Sequence, residues 1–322
     1  MGQNQPFQES AKKRAEGRYY TVGNPFDCEA FEDWASRSGI ADKTVLEPFA
    51  GCNSLIERLK ELDLCAHWNA FDILPNAKGV RRRDTLTSFP KGFDICVTNP
   101  PWLAKNSATA RGLPFPECRY DDLYKFALEK CLDHCAWVAA LVPESFIRAN
   151  LFHERLANFI SLRSSMFRDT THPVGLALFE PNTSKDVTVW SERECIGTLA
   201  ELRAHLPKTT TRTQRKILRS IRFNDPNGNL GLIALDNTRA PSIRFCKPEE
   251  LDGYSITHSS RALTKIYVPF TPRIRDYNVF LDEFRARTRD VLLTCYRGLR
   301  RDGMYRRRLD WKLARSIVCH PM

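Results

Sequence analysis

Apolar positions in the first half of the chain switch repeatedly between two periods. From Asp27 they recur at helical spacing, with Phe31, Trp34 and Ala35 on one face. Thr44-Val45-Leu46-Glu47 then reads as a strand, and from Ser54 a helical face returns through Leu55, Ile56, Leu59 and Leu62. The series continues with strands over Ala66 to Phe71 and Ile95 to Val97. A helix follows from Asp122 to Leu132, with Leu123, Phe126, Ala127 and Leu132 apolar, then a strand from Ala136 to Val142. Leu151 to Ile160 has helical spacing, and two short strands are predicted at Ser165 to Arg168 and Val174 to Phe179. Strands separated by helices predict an α/β layer with a mostly parallel sheet. From Asp186 the alternation breaks. Residues 228–268 alternate short apolar pieces with turn signals (Gly228, Asn237, Pro241, Gly253), which predicts a small β-rich unit, and Phe280 to Val318 reads as helical and arginine-rich. The expected division is therefore 1–185, a regular α/β domain, and 186–322, a smaller α+β domain.

A length of 322 residues with 42% hydrophobic content is enough for a large core and about two domains. No apolar run approaches the span of a membrane helix, and the polar start, with Lys12, Lys13 and Arg14, is not backed by an apolar segment. The expectation is a cytoplasmic protein without a membrane span. Eleven cysteines form no CxxC pair; the nearest to a ligand cluster is Cys131, His134 and Cys135 inside a helical pattern, so buried reduced thiols are expected and no metal. Charge changes the picture more. Residues 1–185 hold 23 basic and 23 acidic side chains, so the whole net charge of +11 falls in 186–322. Arginine dominates that excess, with aromatics interleaved, which points to a polyanion as partner.

The chemistry concentrates in Phe93-Asp94-Ile95-Cys96-Val97-Thr98-Asn99-Pro100-Pro101-Trp102. Two prolines lack the NH groups and the φ freedom to continue a central strand, so the strand stops there. The stop leaves the Asn99 and Pro100 carbonyls rigidly held, beside the Asn99 side-chain oxygen and the flat Trp102 ring. A planar exocyclic amine is a poor nucleophile because its lone pair is delocalised into its ring. Two preset acceptors that grip its hydrogens out of plane localise that pair, with no general base required. A strand-ending Pro-Pro turn beside a surface Trp is the competing account of the tetrapeptide alone.

Asn99-Pro100-Pro101-Trp102 resembles the Asn-Pro-Pro-aromatic motif of S-adenosylmethionine-dependent amino methyltransferases, most familiar in adenine-N6 DNA methyltransferases. The order of the surrounding motifs is similar to the gamma group of that family. The resemblance implies a Rossmann-like, seven-stranded class I methyltransferase sheet over 1–185, with Asn99, Pro100, Pro101 and Trp102 as catalytic residues. Tyr20 and Thr21, in Arg18-Tyr19-Tyr20-Thr21-Val22-Gly23-Asn24-Pro25, resemble the segment that closes over the methionine part of the cofactor, although Val22 stands where proline is usual. A simple turn leading into the first helix is the alternative for that segment.

Glu47-Pro48-Phe49-Ala50-Gly51-Cys52-Asn53 resembles the family's Asp/Glu-Pro-x-x-Gly-x-Gly cofactor loop, with Asn53 in place of the last glycine. In an open α/β sheet a ligand sits at the carboxyl ends of the strands, so Glu47 is placed to hold a cationic group, with Phe49 beside it, while Gly51 permits close backbone approach. Asparagine tolerates positive φ, so the loop survives the change at Asn53. Asp72, past the second strand and about 20 residues on, is placed to accept from a ribose diol. Asp84 stands where the family holds the adenine amine, and Asn99 completes the expected cofactor contacts.

The stretch Lys105 to Arg119 is long and irregular for a connector; in the family it lies beside the target strand. A residue stacking on the flipped base opposite Trp102 is expected near the last two strands, with Phe167 and His172 both open. The second half, including the hydroxyl-rich basic run Lys208 to Lys216 and the arginines Arg300, Arg301, Arg306, Arg307 and Arg308, is expected to be the target-recognition domain. Together these imply methylation of adenine N6 in double-stranded DNA by a monomer or weak dimer, with a cognate restriction endonuclease as a further partner. The alternatives are a cytosine-N4 enzyme, which more often carries Ser at the first motif position, an RNA adenine-N6 enzyme, an oligomerisation or solubility role for the second half, and an inactive nucleic-acid-binding module.

Overall fold

A computed structural model of the chain describes residues 21–163, 166–167, 170–182, 186–208, 212–257 and 260–320. Tyr20, Thr209 to Thr211, and Ser165 and Arg168 of the predicted strand at Ser165 to Arg168 lie outside the described residues.

The regular part begins with helix α1 (Glu29–Ser38), which buries Phe31, Trp34 and Ala35 and is stopped by Gly39 at φ 65°. Strand β1 (Thr44–Glu47) leads through a tight loop into α2 (Ser54–Glu61), and β2 (His67–Asp72), β3 (Val80–Arg82) and β4 (Ile95–Thr98) follow. After α3 (Lys105–Ala110) and α4 (Leu123–His134) come β5 (Trp137–Pro143), β6 (Leu156–Leu162), β7 (Val174–Phe179), β8 (Thr188–Ser191) and β9 (Glu194–Thr198). They form one sheet in the order β3-β2-β1-β4-β5-β7-β6-β8-β9. The first five in that order are parallel, and β7 runs antiparallel between β5 and β6. Seven of the strands form a mostly parallel sheet of the size expected from the sequence; β8, parallel to β6, and β9 extend it to nine.

Burial explains the sequence pattern. All of β4 and β7 and the middle of β5 are covered, as central strands flanked by helices must be, so they read as continuous apolar runs without alternation. The Trp34 indole NH donates to the Phe179 carbonyl at 3.0 Å, tying α1 to the end of β7.

Two expectations are corrected. Leu151 to Ile160 is not a helix: Leu156–Leu162 is a strand paired with β7, because its backbone groups are satisfied by a sheet neighbour that local spacing does not reveal. The chain divides into two compact units at Cys195 and Ile196, and β8 belongs to the large sheet. Phe280 to Val318 is not continuously helical.

In the second unit, α5 (Leu199–Ala204) and α6 (Arg212–Ser220) precede a four-stranded antiparallel sheet, order β10-β13-β11-β12, built from β10 (Arg222–Phe223), β11 (Leu230–Ile233), β12 (Arg244–Cys246) and β13 (Leu263–Tyr267). Helix α7 (Ile274–Thr288) stops where Arg289 and Asp290 take positive φ. The chain then forms a hairpin, β14 (Thr294–Leu299) with β15 (Tyr305–Arg308), before α8 (Trp311–Val318). Gly303 at φ 79° makes the Asp302-Gly303 turn, the one sequence signal for this hairpin.

That correction moves the arginines. Asp236 is fully buried and accepts from both terminal nitrogens of Arg285 at 3.0 and 2.9 Å, from Arg300 at 2.9 Å and from the backbone NH of Ser242 at 2.7 Å. Arg285 also bonds Asp290 at 2.8 Å, and Arg300 bonds Asp302 at 3.0 Å. Arg300 and Arg307 are buried. Part of the expected polyanion surface is therefore internal charge pairing.

Candidate active site

At the carboxyl ends of β1, β2 and β4 the first unit has a cavity of about 590 Å³, within the range of small-molecule sites. Its wall includes Thr21, Glu47, Phe49, Gly51, Asp72, Asp84, Asn99, Pro100 and Pro101. The topology explains the meeting: adjacent parallel strands bring residues 47, 72 and 99 to one edge, although they are far apart in sequence.

The loop after β1 is held from several sides. Gly51 has φ 51° and Asn53 has φ 64°, so both occupy the left-handed region. Asn53 is buried, starts α2, and its amide reaches Glu57 at 3.4 Å; it supports the loop without lining the cavity. The Gly51 NH donates to Asp72 Oδ2 at 2.8 Å and the Leu74 NH to Asp72 Oδ1 at 2.8 Å. The Ala50 NH donates to the Phe71 carbonyl, and Thr85 Oγ1 donates to the Pro48 carbonyl at 2.8 Å. Each Asp72 oxygen keeps a second lone pair for another donor. Asp84 caps its own turn, accepting from the Leu86 NH at 3.1 Å.

Glu47 is 1% exposed and faces this cavity. Burial pushes its carboxyl up to about 8, against hydrogen bonds from Thr98 Oγ1 at 2.7 Å and the Phe49 NH at 3.3 Å that favour the charged form; the Asp72 charge adds to the rise. A carboxyl buried in this way regains its charge most easily beside a cation.

Asn99 lies directly after β4, its amide nitrogen 3.5 Å from Thr21 Oγ1. Thr21 in turn bridges Phe167, and the Val22 NH donates to the Met166 carbonyl at 2.8 Å, so the segment before α1 is pinned beside the motif. Trp102 differs from its expected place. It is 8% exposed, lies outside the cavity wall, and packs edge-to-face with Phe167 at 5.2 Å and His172 at 6.4 Å. Both residues left open as stacking partners thus meet the Trp102 ring itself.

Sequence reasoning missed Thr85 and Thr98, whose hydroxyls fix the loop and the buried acid; their only signal was adjacency to Asp84 and Asn99. It also missed the apolar end of the cavity. Leu86, Leu113 and Phe115 pack against Leu103 and Leu123, and Leu113 to Pro116 line the wall. The stretch expected beside a target strand thus contributes α3 and a cavity wall. Among the described residues no cluster of histidine, cysteine and carboxylate side chains could hold a metal, and no helix is long and apolar enough to cross a membrane.

No protein-family model and no curated protein sequence matches the chain. Among solved structures, the chain is similar to a class I S-adenosylmethionine-dependent methyltransferase from Listeria monocytogenes, at 12% identity and a TM-score of 0.34, covering 53% of this chain and 68% of that one. It is similar to the type I restriction-modification methyltransferase subunit from Streptococcus thermophilus, at 15% identity and a TM-score of 0.36, covering 64% of this chain. A third likeness is to DrdV in its complex with DNA, at 13% identity and a TM-score of 0.44, covering 60% of this chain. The chain spans 53% and 29% of the lengths of those last two proteins.

Proposed function

We propose that the protein is an S-adenosylmethionine-dependent DNA methyltransferase that modifies adenine N6. The observation that carries this reading is the shared cavity wall: Asn99, Pro100 and Pro101 stand across one space from Glu47, Asp72 and Asp84. The residues fit the cofactor. Glu47 is a buried acid that favours a cationic neighbour, Asp72 retains acceptor capacity for a diol, and Leu86, Leu113 and Phe115 supply an apolar end for a base. The cofactor, when bound, supplies an electrophilic methyl group. The chain's part is to accept the two amine hydrogens on the Asn99 side-chain oxygen and the Pro100 carbonyl, which localises the nitrogen lone pair. A target adenine in a duplex has to be swung out to reach them.

The positive second unit supports a polyanionic substrate over a protein one, and Asn at position 99 favours adenine over cytosine. A cognate restriction endonuclease fits the same reading. The test is methylation-sensitive sequencing of DNA from cells expressing the chain, which reports base, sequence context and strand together. N6-methyladenine at a fixed context is expected; N4-methylcytosine, or no modified base, overturns the assignment.

A further inference from the structure

The basic excess of the second unit is not spread evenly. Residues 202–224 contain seven lysines and arginines and no carboxylate. Helix α6 lies within this stretch and has no acidic residue. Its basic positions 212, 215, 216 and 219 recur at i, i+3, i+4 and i+7, a single stripe along one side. Positions 214, 217, 218 and 221 make another stripe, and there the helix is anchored: the Gln214 amide donates to the Cys319 carbonyl at 3.3 Å, and Ile221 is 3% exposed.

Lys216 and Arg219 are exposed, and neither makes an ion pair among the described residues. Several other cations in this unit are engaged: Arg222 with Asp225, Arg244 with Glu250, Lys265 with Asp252, and Arg285 and Arg300 with Asp236. Helix α8 adjoins the end of α6 through Arg315, which donates to the Ile221 carbonyl at 3.4 Å and lies over the Phe223 ring. Phe223 stacks on Trp311 at 4.7 Å, and the next residue, Lys312, is exposed. The result is a helix anchored along one stripe, with Lys216 and Arg219 exposed on another and, among the described residues, in no ion pair, and with exposed Lys312 on the adjoining α8.

We propose that this side of α6, with Lys216 and Arg219 at its centre and Lys312 beside it, is the surface that contacts the phosphate backbone of duplex DNA. The inference rests on the methyltransferase reading for its substrate and adds where the duplex is held. A regular row of phosphates matches a row of cations one helical turn apart, whereas the buried arginines around Asp236 cannot reach a ligand without breaking their pairs. Contacts of this kind give affinity and position without sequence preference.

The test compares the full chain with Lys216→Ala/Arg219→Ala, with the charge-preserving Lys216→Arg/Arg219→Lys, and with Arg244→Ala/Lys265→Ala. Binding to a fluorescent duplex of random sequence is followed over a salt series, and folding is checked by circular dichroism. Each lost phosphate contact lowers the slope of log affinity against log salt by about 0.9, so the alanine pair is expected to lower it by about 2, while the charge-preserving pair restores it. The Arg244/Lys265 pair is expected to keep the original slope. An unchanged slope in the alanine pair, an equal fall in the Arg244/Lys265 pair, or tighter binding to single-stranded RNA than to the duplex overturns the inference. Absence of any salt-dependent duplex binding by the original chain overturns the DNA reading as well, which separates the two failures.

Discussion

Thr98 Oγ1 donates to Glu47 Oε1 at 2.7 Å, joining the last residue of β4 to the last residue of β1. The bond links the acid facing the cavity to the residue immediately before Asn99. Glu47 is held up to about 8, chiefly by burial, so at neutral pH most of it is protonated when no cation is present. Binding a cation requires that proton to leave. Affinity for S-adenosylmethionine is therefore expected to rise with pH and to level off above about 8, with proton release seen by calorimetry in buffers of different ionisation heat. The stability sign is opposite: an acid raised in the folded state stabilises the fold at low pH and loses that contribution as pH rises through 8. Thr98→Val removes a hydrogen bond to the charged form, worth roughly 1.5–3 kcal/mol, and is expected to move the plateau up by about one to two pH units. Thr98→Ser should restore it. An unshifted profile in Thr98→Val would remove the hydroxyl from this role.

Asn99→Ala tests the amine-gripping chemistry separately from cofactor capture. Asn99 shares its cavity with the acids but is not the group that opposes a positive charge. Single-turnover methyl transfer is expected to fall by about 10² to 10³, the usual cost of one preset polar partner at a reacting centre, while cofactor affinity stays nearly constant. A variant that keeps its rate would exclude Asn99 from the reaction.

Much of the first unit was legible because its signals are local. A buried parallel strand announces itself as an apolar run, and Pro100-Pro101 marks where β4 must end. The residues around the cavity were legible because strand ends in an open sheet converge, so Glu47, Asp72 and Asn99 could be grouped without knowing a single distance. What failed needed tertiary information. Leu156 to Leu162 has apolar spacing compatible with a helix, and only the β7 partner decides otherwise. The burial of Trp102 depends on Phe167, distant in sequence, and the arginines of the last segment were read as surface because Asp236 stands more than sixty residues upstream of Arg300.

Asn53 gives a test of the loop's backbone. Its φ of 64° lies where a β-branched residue is strained, and its side chain contributes one long bond to Glu57. Asn53→Gly is expected to leave S-adenosylmethionine affinity close to that of the original chain, because glycine adopts the same conformation freely. Asn53→Val is expected to destabilise the fold by about 1–2 kcal/mol and to weaken cofactor binding, measured by thermal unfolding and calorimetry on the same samples. Equal behaviour of the two variants would show that the left-handed conformation does not matter to the loop.

The Asp236 cluster predicts a different kind of failure. Burial alone would raise this carboxyl, but the hydrogen bonds and charge of Arg285, with the Ser242 NH and the Arg300 charge, outweigh it and hold Asp236 below the usual carboxylate range. A depressed folded value means stability that is present above the unfolded pKa of about 3.9 and lost as pH falls through the folded one. Asp236→Ala leaves Arg285 and Arg300 without their shared acceptor, and breaking such a buried pair costs about 3–5 kcal/mol. Hydrogen exchange in peptides spanning β11 and β13 is expected to speed up accordingly, while peptides from β4 and β5 in the other unit keep their protection. Uniform loss across both units would show that Asp236 supports the whole chain, and no loss in β11 and β13 would show that the arginines find other partners.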